Sequence, residues 1–231
     1  MKTLIIAEAG VNHNGNIDIA KKLIDVAANA KADFVKFQSF KAESLVSKNA
    51  KKAKYQIKNM NDDETNQFNM LKNLELTKSN HIELIKYCNK KGIKFLSTAF
   101  DKEGLLFLNK LGLELFKVPS GEITNFPYLY ELSKLNKPVV LSTGMSKMSE
   151  IKDAINIILS NGLSKKKLKI LHCNTDYPTP MKDVNLKAML TIKNKFDIDV
   201  GYSDHTIGIE VAIAAVAMGA KIIEKHFTLD K

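Results

Sequence analysis

Short apolar segments recur along the chain, each followed by a polar or glycine-containing stretch and then by residues at helical spacing. Eight can be counted: Leu4 to Ala7, Phe34 to Phe37, Lys94 to Ser97, Leu115 to Val118, Val139 to Ser142, Leu168 to His172, Val200 to Tyr202 and Lys221 to Phe227. Their length and lack of strict alternation predict buried parallel strands. Between them, Ala20, Leu23, Ile24 and Ala27 repeat at i, i+3, i+4 and i+7, as do Ile151, Ala154, Ile155 and Ile158, then Ile209, Ala212, Ile213 and Val216. Each set predicts a helix burying that stripe. Gly112, Gly162 and Gly219 stand where helices should end, just before the next strand.

Eight βα steps predict a (β/α)8 TIM barrel in preference to an open doubly wound sheet, because eight strands close and no dinucleotide GxGxxG or P-loop is present. Residues 1–231 read as one catalytic barrel domain, C-terminally truncated, since the chain ends at Lys231, four residues after the eighth strand, and the helix that should cover this strand is missing. A gap of that kind exposes apolar surface unless a partner fills it. One long insertion, about Ala42 to Thr77, is rich in Lys, Asn and Asp and is expected to hold a loop and a short helix such as Glu64 to Leu74.

Composition narrows the function classes. The longest apolar run, Val211 to Met218, is far below the ~20 residues of a membrane span. Cys88 and Cys173 lack ligand spacing, which fits reduced, buried thiols in a cytoplasmic protein. The net charge is +10, yet every basic residue is Lys, and Arg forks are the usual readers of phosphate and guanine. The charge therefore reads as solvated surface with a preference for small anions, not as a nucleic-acid face.

Barrel chemistry gathers at the carboxyl ends of the strands. The polar residues there are Glu8, Lys36 and Gln38, Ser97 and Thr98, Lys117 with Ser120 and Glu122, Ser142 and Thr143, Asn174 and Thr175, Ser203 and His205, and Glu224 and His226. Strand parity turns Lys36 and Gln38 inward together, and likewise Glu224 and His226. Closure brings Glu8 beside His226. Two imidazoles on neighbouring strand ends suit a hexacoordinate Mn²⁺ or Mg²⁺ ion with water and substrate oxygens. Lys36 and Lys117 need counter-charges from Glu8, Glu122 or Glu224, or else cradle an anion with Ser120, Ser142 and Ser203. His81 and His172 read as structural, the Tyr177–Pro180 loop as a stiff turn, and His13 as a turn cap or a substrate contact.

The segments Ala7–Gly15, Val35–Gln38, Phe116–Glu122, Leu141–Met145, His172–Pro180, Gly201–His205 and Glu224–Thr228 together resemble the bacterial sialic acid (N-acetylneuraminate) synthase family, which includes legionaminic acid synthases. The resemblance spans essentially the whole chain. It implies a transferase that condenses phosphoenolpyruvate with N-acetylmannosamine and releases phosphate; the alternative sugar is a 2,4-diacetamido-trideoxymannose. It further implies that His205 and His226 bind Mn²⁺ or Mg²⁺, that Lys36, Thr98, Lys117, Ser120, Ser142 and Ser203 hold phosphoenolpyruvate, and that Glu8, Gln38 and Tyr177 lie near the sugar. Thr175 joins the substrate-binding set, and Glu8 or Glu122 handles the proton and water steps. The family carries a proline where Ala99 stands here, and it continues past the eighth strand into a last helix and a small antifreeze-like domain that reaches a partner's site in a homodimer. Neutral imidazole ligands, with an ordinary pKa near 6.5, predict activity falling in mildly acidic solution. Two readings compete: a Schiff-base aldolase using Lys36 or Lys117, and a basic barrel that binds nucleic acid.

Overall fold

The computed structural model describes residues 2–51 and 66–230. All eight predicted strands are present: β1 (Leu4–Gly10), β2 (Phe34–Ser39), β3 (Lys94–Ala99), β4 (Phe116–Val118), β5 (Val139–Ser142), β6 (Leu168–Cys173), β7 (Val200–Asp204) and β8 (Ile222–His226). They pair in parallel in the order β3–β2–β1–β8–β7–β6–β5–β4. β3 and β4 lie in contact and complete the ring. No ladder joins them among the described residues; β4 is only three residues long, and Pro119 beyond it has no N–H to donate. Tyr128 instead donates its hydroxyl to the Ala99 carbonyl at 3.0 Å across this seam.

The outer helices are α1 (Ile17–Asn29), α2 (Ala42–Leu45), α3 (Gln67–Asn73), α4 (Lys78–Lys91), α5 (Lys102–Lys110), α6 (Phe126–Lys134), α7 (Met148–Ser160), α8 (Leu186–Phe196) and α9 (Glu210–Ala217). The predicted stripes of α1 and α7 are the buried ones. In α9 the expectation fails: Val211 and Ala215 are buried, whereas Ile209 and Ile213 are 62% and 61% exposed. That helix is apolar on every side, so the period in its sequence cannot choose a face and packing on β7 and β8 does.

The insertion contributes α2 and α3 and a small core of Phe40, Ala42, Met70, Leu71 and Leu74. The helix expected from Glu64 begins within the described residues at Gln67, capped by the Asn66 side chain, which accepts from Phe68 N–H and Asn69 N–H; Glu64 itself lies outside the described residues. At the barrel's interior, Gly201 of β7 permits close approach, because a Cβ there would strike the Ile222 carbonyl and the Leu171 side chain.

Candidate active site

The carboxyl ends of the strands open into a cavity of about 810 Å³. Four charged side chains form its floor, all at least nine-tenths buried. The Lys36 ammonium is 2.7 Å from Glu8 and 3.6 Å from Glu224 and donates to Thr98 Oγ1 at 3.1 Å. Among the described residues Lys117 has only Glu224, at 3.7 Å, and the Val118 carbonyl at 3.3 Å. Burial disfavours every charge here, so the local pairing decides which survive. Lys36, flanked by two carboxylates, has its pKa raised, while burial and the neighbouring Lys36 lower that of Lys117 against the pull of Glu224. Between the carboxylates, Glu224 is held down to about 2 by Lys117, Lys36 and the Ser203 hydroxyl, which donates to it at 2.9 Å. Burial pushes Glu8 up to about 7, with Glu224 adding to the rise and Lys36 opposing it. One carboxyl is thus a fixed anion, and the other exchanges its proton near neutrality.

Above β4 and β5 the cavity is lined by the hydroxyls of Ser120 and Ser142. Ser120 Oγ accepts from Gly144 N–H at 2.8 Å and lies 3.4 Å from Cys173 Sγ. Ser142 Oγ is buried with no hydrogen-bond partner among the described residues. A buried hydroxyl left free is costly unless a ligand completes it. Gly144 keeps this corner open, since a Cβ would collide with Thr175 and Ser120.

The two histidines stand side by side on the opposite arc, ring centroids 5.5 Å apart. His205 Nδ1 lies 2.6 Å from the Asn174 carbonyl, an acceptor only, which assigns the ring proton to Nδ1 and leaves Nε2 facing Ser203 Oγ at 3.2 Å. Tyr177 stacks on His205 at 4.2 Å and meets His226 edge-on at 5.6 Å. Burial lowers both pKa values to about 4, so both rings are neutral across the physiological range. The acid loss expected from an ordinary imidazole near 6.5 therefore moves to about pH 4. Behind them, on the outside of the ring, Asp204 accepts from the N–H and hydroxyl of Thr206 and pairs with Lys225 at 2.7 Å; Lys225 also donates to the Thr206 carbonyl. This clamp joins the segments that carry His205 and His226. Two adjacent neutral imidazoles, one with its tautomer locked, fit a divalent cation. Among the described residues no cluster of three or more His, Cys, Asp or Glu offers further ligands, so oxygens of water or substrate would complete the shell.

The structure brings together Glu8, Lys36, Gln38, Thr98, Lys117, Ser120, Ser142, Thr175, Tyr177, Ser203, His205 and His226 around this one cavity. Glu8 and His226 are register partners across β1 and β8. Glu122 sits in a 3₁₀ turn, Ser120–Glu122, next to the cavity-lining Ser120 and Gly121, where its carboxylate accepts from the Asn125 side chain at the start of α6. His13 is buried and its Nδ1 accepts from Gly15 N–H, so it caps the turn. His81 bridges Ser39 and the Thr77 carbonyl, as a structural residue would. Glu224, read from the sequence as a counter-charge, is the anchor of the floor; its parity with His226 was the available signal. Met70, Leu71, Leu74 and Phe100 also line the cavity, and no signal in the sequence separates them from ordinary core.

The model of the NeuB family matches residues 23–231. Over the full chain, the sequence is 57% identical to the N,N'-diacetyllegionaminic acid synthase of Campylobacter jejuni and 49% identical to that of Legionella pneumophila, spanning 69% and 65% of those relatives. Among solved structures, the N-acetylneuraminic acid synthetase of Leptospira borgpetersenii superposes with a TM-score of 0.87 at 36% identity, covering 100% of this chain and 74% of that one. A family match over most of the chain, on a barrel whose paired histidines and buried lysines share one cavity, establishes that this chain belongs to the NeuB family.

Proposed function

We propose that this chain catalyses the condensation of phosphoenolpyruvate with a 2,4-diacetamido-trideoxymannose, forming N,N'-diacetyllegionaminic acid and phosphate. The observation that carries this reading is the pairing, in one cavity, of two neutral imidazoles with Lys117, a buried ammonium short of counter-charge. The choice of sugar rests on the 57% and 49% identities to two synthases of that name, against 36% to the N-acetylneuraminic acid synthetase. The diacetamido sugar, the alternative at the level of sequence, thus replaces N-acetylmannosamine as the preferred substrate.

Lys117, Ser120 and Ser142 receive the phosphate and carboxylate of the enol ester, supplying charge and donors in a dry site where they count most. The sugar aldehyde lies against His205, His226 and Glu8. A divalent cation held by the two imidazoles, Mn²⁺ or Mg²⁺, would polarise that aldehyde. C3 of the enol ester attacks the aldehyde carbon, and the protonated Glu8 carboxyl gives its proton to the aldehyde oxygen as the C–C bond forms. Water adds to the cationic C2 and loses a proton to the Glu8 carboxylate. The C2–O bond to phosphate then breaks, the phosphate keeping the bridging oxygen, and the hydroxyl electron pair closes the ketone as the hydroxyl proton passes to the departing phosphate. Glu224 stays ionised throughout and offsets the charge of Lys36 and Lys117.

The test is phosphate release from phosphoenolpyruvate. Release should require the sugar, stop with a chelator and return with Mn²⁺, and ¹⁸O placed in the bridging position should appear in phosphate. Label remaining with the sugar acid, or borohydride trapping of Lys36 or Lys117, would overturn the scheme in favour of another mechanism.

A further inference from the structure

The cavity has two chemically different sides. Over β4 and β5 it presents Lys117, Ser120 and Ser142, whereas over β1 to β3 Val11, Met70, Leu71, Leu74 and Phe100 line it, with Asn12, Asn14, Gln38 and Thr98 as the polar residues on that side. The five apolar side chains carry no hydroxyl, amide or charge. Met70, Leu71 and Leu74 are each less than a tenth exposed and pack with Phe40 and Ala42 in the insertion's own core, so the wall has a solid backing. Around the ring the strands follow the order β4, β5, β6, β7, β8, β1, β2, β3. The histidines on β7 and β8 lie between the anion corner and the apolar wall along one arc of the ring, and on the other side β3, in contact with β4, brings the wall's far edge back to the anion corner. A sugar with its aldehyde at the histidines, facing an enol ester at the anion corner, directs its other end past Gln38 toward that wall.

We propose that the wall of Val11, Met70, Leu71, Leu74 and Phe100 selects the sugar by its far end, accepting a terminal methyl and an acyl group and disfavouring a terminal hydroxymethyl. This assignment rests on the synthase reading above. A hydroxyl seated on these five side chains would give up its hydration with no partner among them, while a methyl would shed water favourably. Apolar pockets reject an added hydroxyl by roughly 100-fold at most, so a preference of about 10- to 100-fold in kcat/KM is expected.

The experiment compares 2,4-diacetamido-trideoxymannose with N-acetylmannosamine in phosphate release by this chain and by two near-isosteric variants, Met70→Gln and Val11→Thr, each checked for folding by its melting temperature. The expected result is a preference for the diacetamido sugar that shrinks about tenfold in Met70→Gln and by a smaller factor in Val11→Thr, with saturation-transfer NMR placing the strongest enhancement on the sugar's terminal methyl. Release of phosphate with an unchanged ratio in both folded variants overturns the wall's role and leaves the synthase reading standing. A preference for N-acetylmannosamine overturns the wall's role and the choice of the diacetamido sugar together, leaving only a condensation of phosphoenolpyruvate with an acetamido sugar. No release with either sugar overturns the synthase reading and the wall with it.

Discussion

At the scale of the residue, burial has divided two chemically identical carboxyls. Glu8 and Glu224 face the same two lysines, yet Glu224 also holds the Ser203 hydroxyl and both ammonium groups, while Glu8 has one close partner and a like charge beside it. Glu8 is left near pH 7, where a proton donor and acceptor works best. In the proposed scheme the protonated form starts the reaction, so kcat should fall as pH rises through about 7. Glu8→Gln should lower kcat by roughly 100-fold or more and abolish that limb. A rate profile of the same shape in the variant would remove Glu8 from the proton steps. Glu122 offers a contrast: the same residue type, in a 3₁₀ turn, accepts from the Asn125 side chain.

Among the elements, β7 and β8 matter most, because each ends in a histidine and the two must be held in one relative position. Parallel ladders set the register, pairing Asp204 with Lys225, and their ion pair sits on the outer face of the barrel with the Asp204 side chain fully buried. The pair also holds the Thr206 carbonyl and N–H, so the chain on both sides of His205 is tethered. Lys225→Met should leave a buried carboxylate unpaired and cost about 1 to 3 kcal/mol, below the full value for a buried pair because Lys225 is partly solvated. Mn²⁺ affinity, read by electron paramagnetic resonance, should weaken about tenfold as the ring support loosens. Adding Asp204→Asn should recover much of the stability. Unchanged melting and unchanged Mn²⁺ binding in Lys225→Met would show that the clamp supports nothing.

For the whole molecule, all five histidines have pKa values lowered by burial: His13, His205 and His226 to about 4, and His81 and His172 in the same direction. A group whose folded pKa lies below its unfolded value is less protonated in the folded state, so the unfolded chain binds more protons between about pH 6.5 and 4 and stability drops as pH falls through that window. Glu8, raised to about 7, works the other way between 7 and 4.5, but it is one group against five. In chelator-treated protein the melting temperature should fall by about 5 °C or more between pH 6.5 and 4.5. A flat or rising value would contradict the burial of these rings. The sequence by itself determined the eight strands, their order of occurrence, the stripes of α1 and α7, and the inward parity that sets Lys36 with Gln38 and Glu224 with His226. Each follows from a local period or from one strand's alternation, which neighbouring residues along the chain fully specify. Tertiary structure alone decided the buried face of α9, the contact of Glu122 with Asn125, the unequal protonation of Glu8 and Glu224, and the apolar side chains that the insertion lends to the cavity. Those outcomes depend on what packs across from each residue, and distances between segments far apart in the chain leave no periodic trace in it.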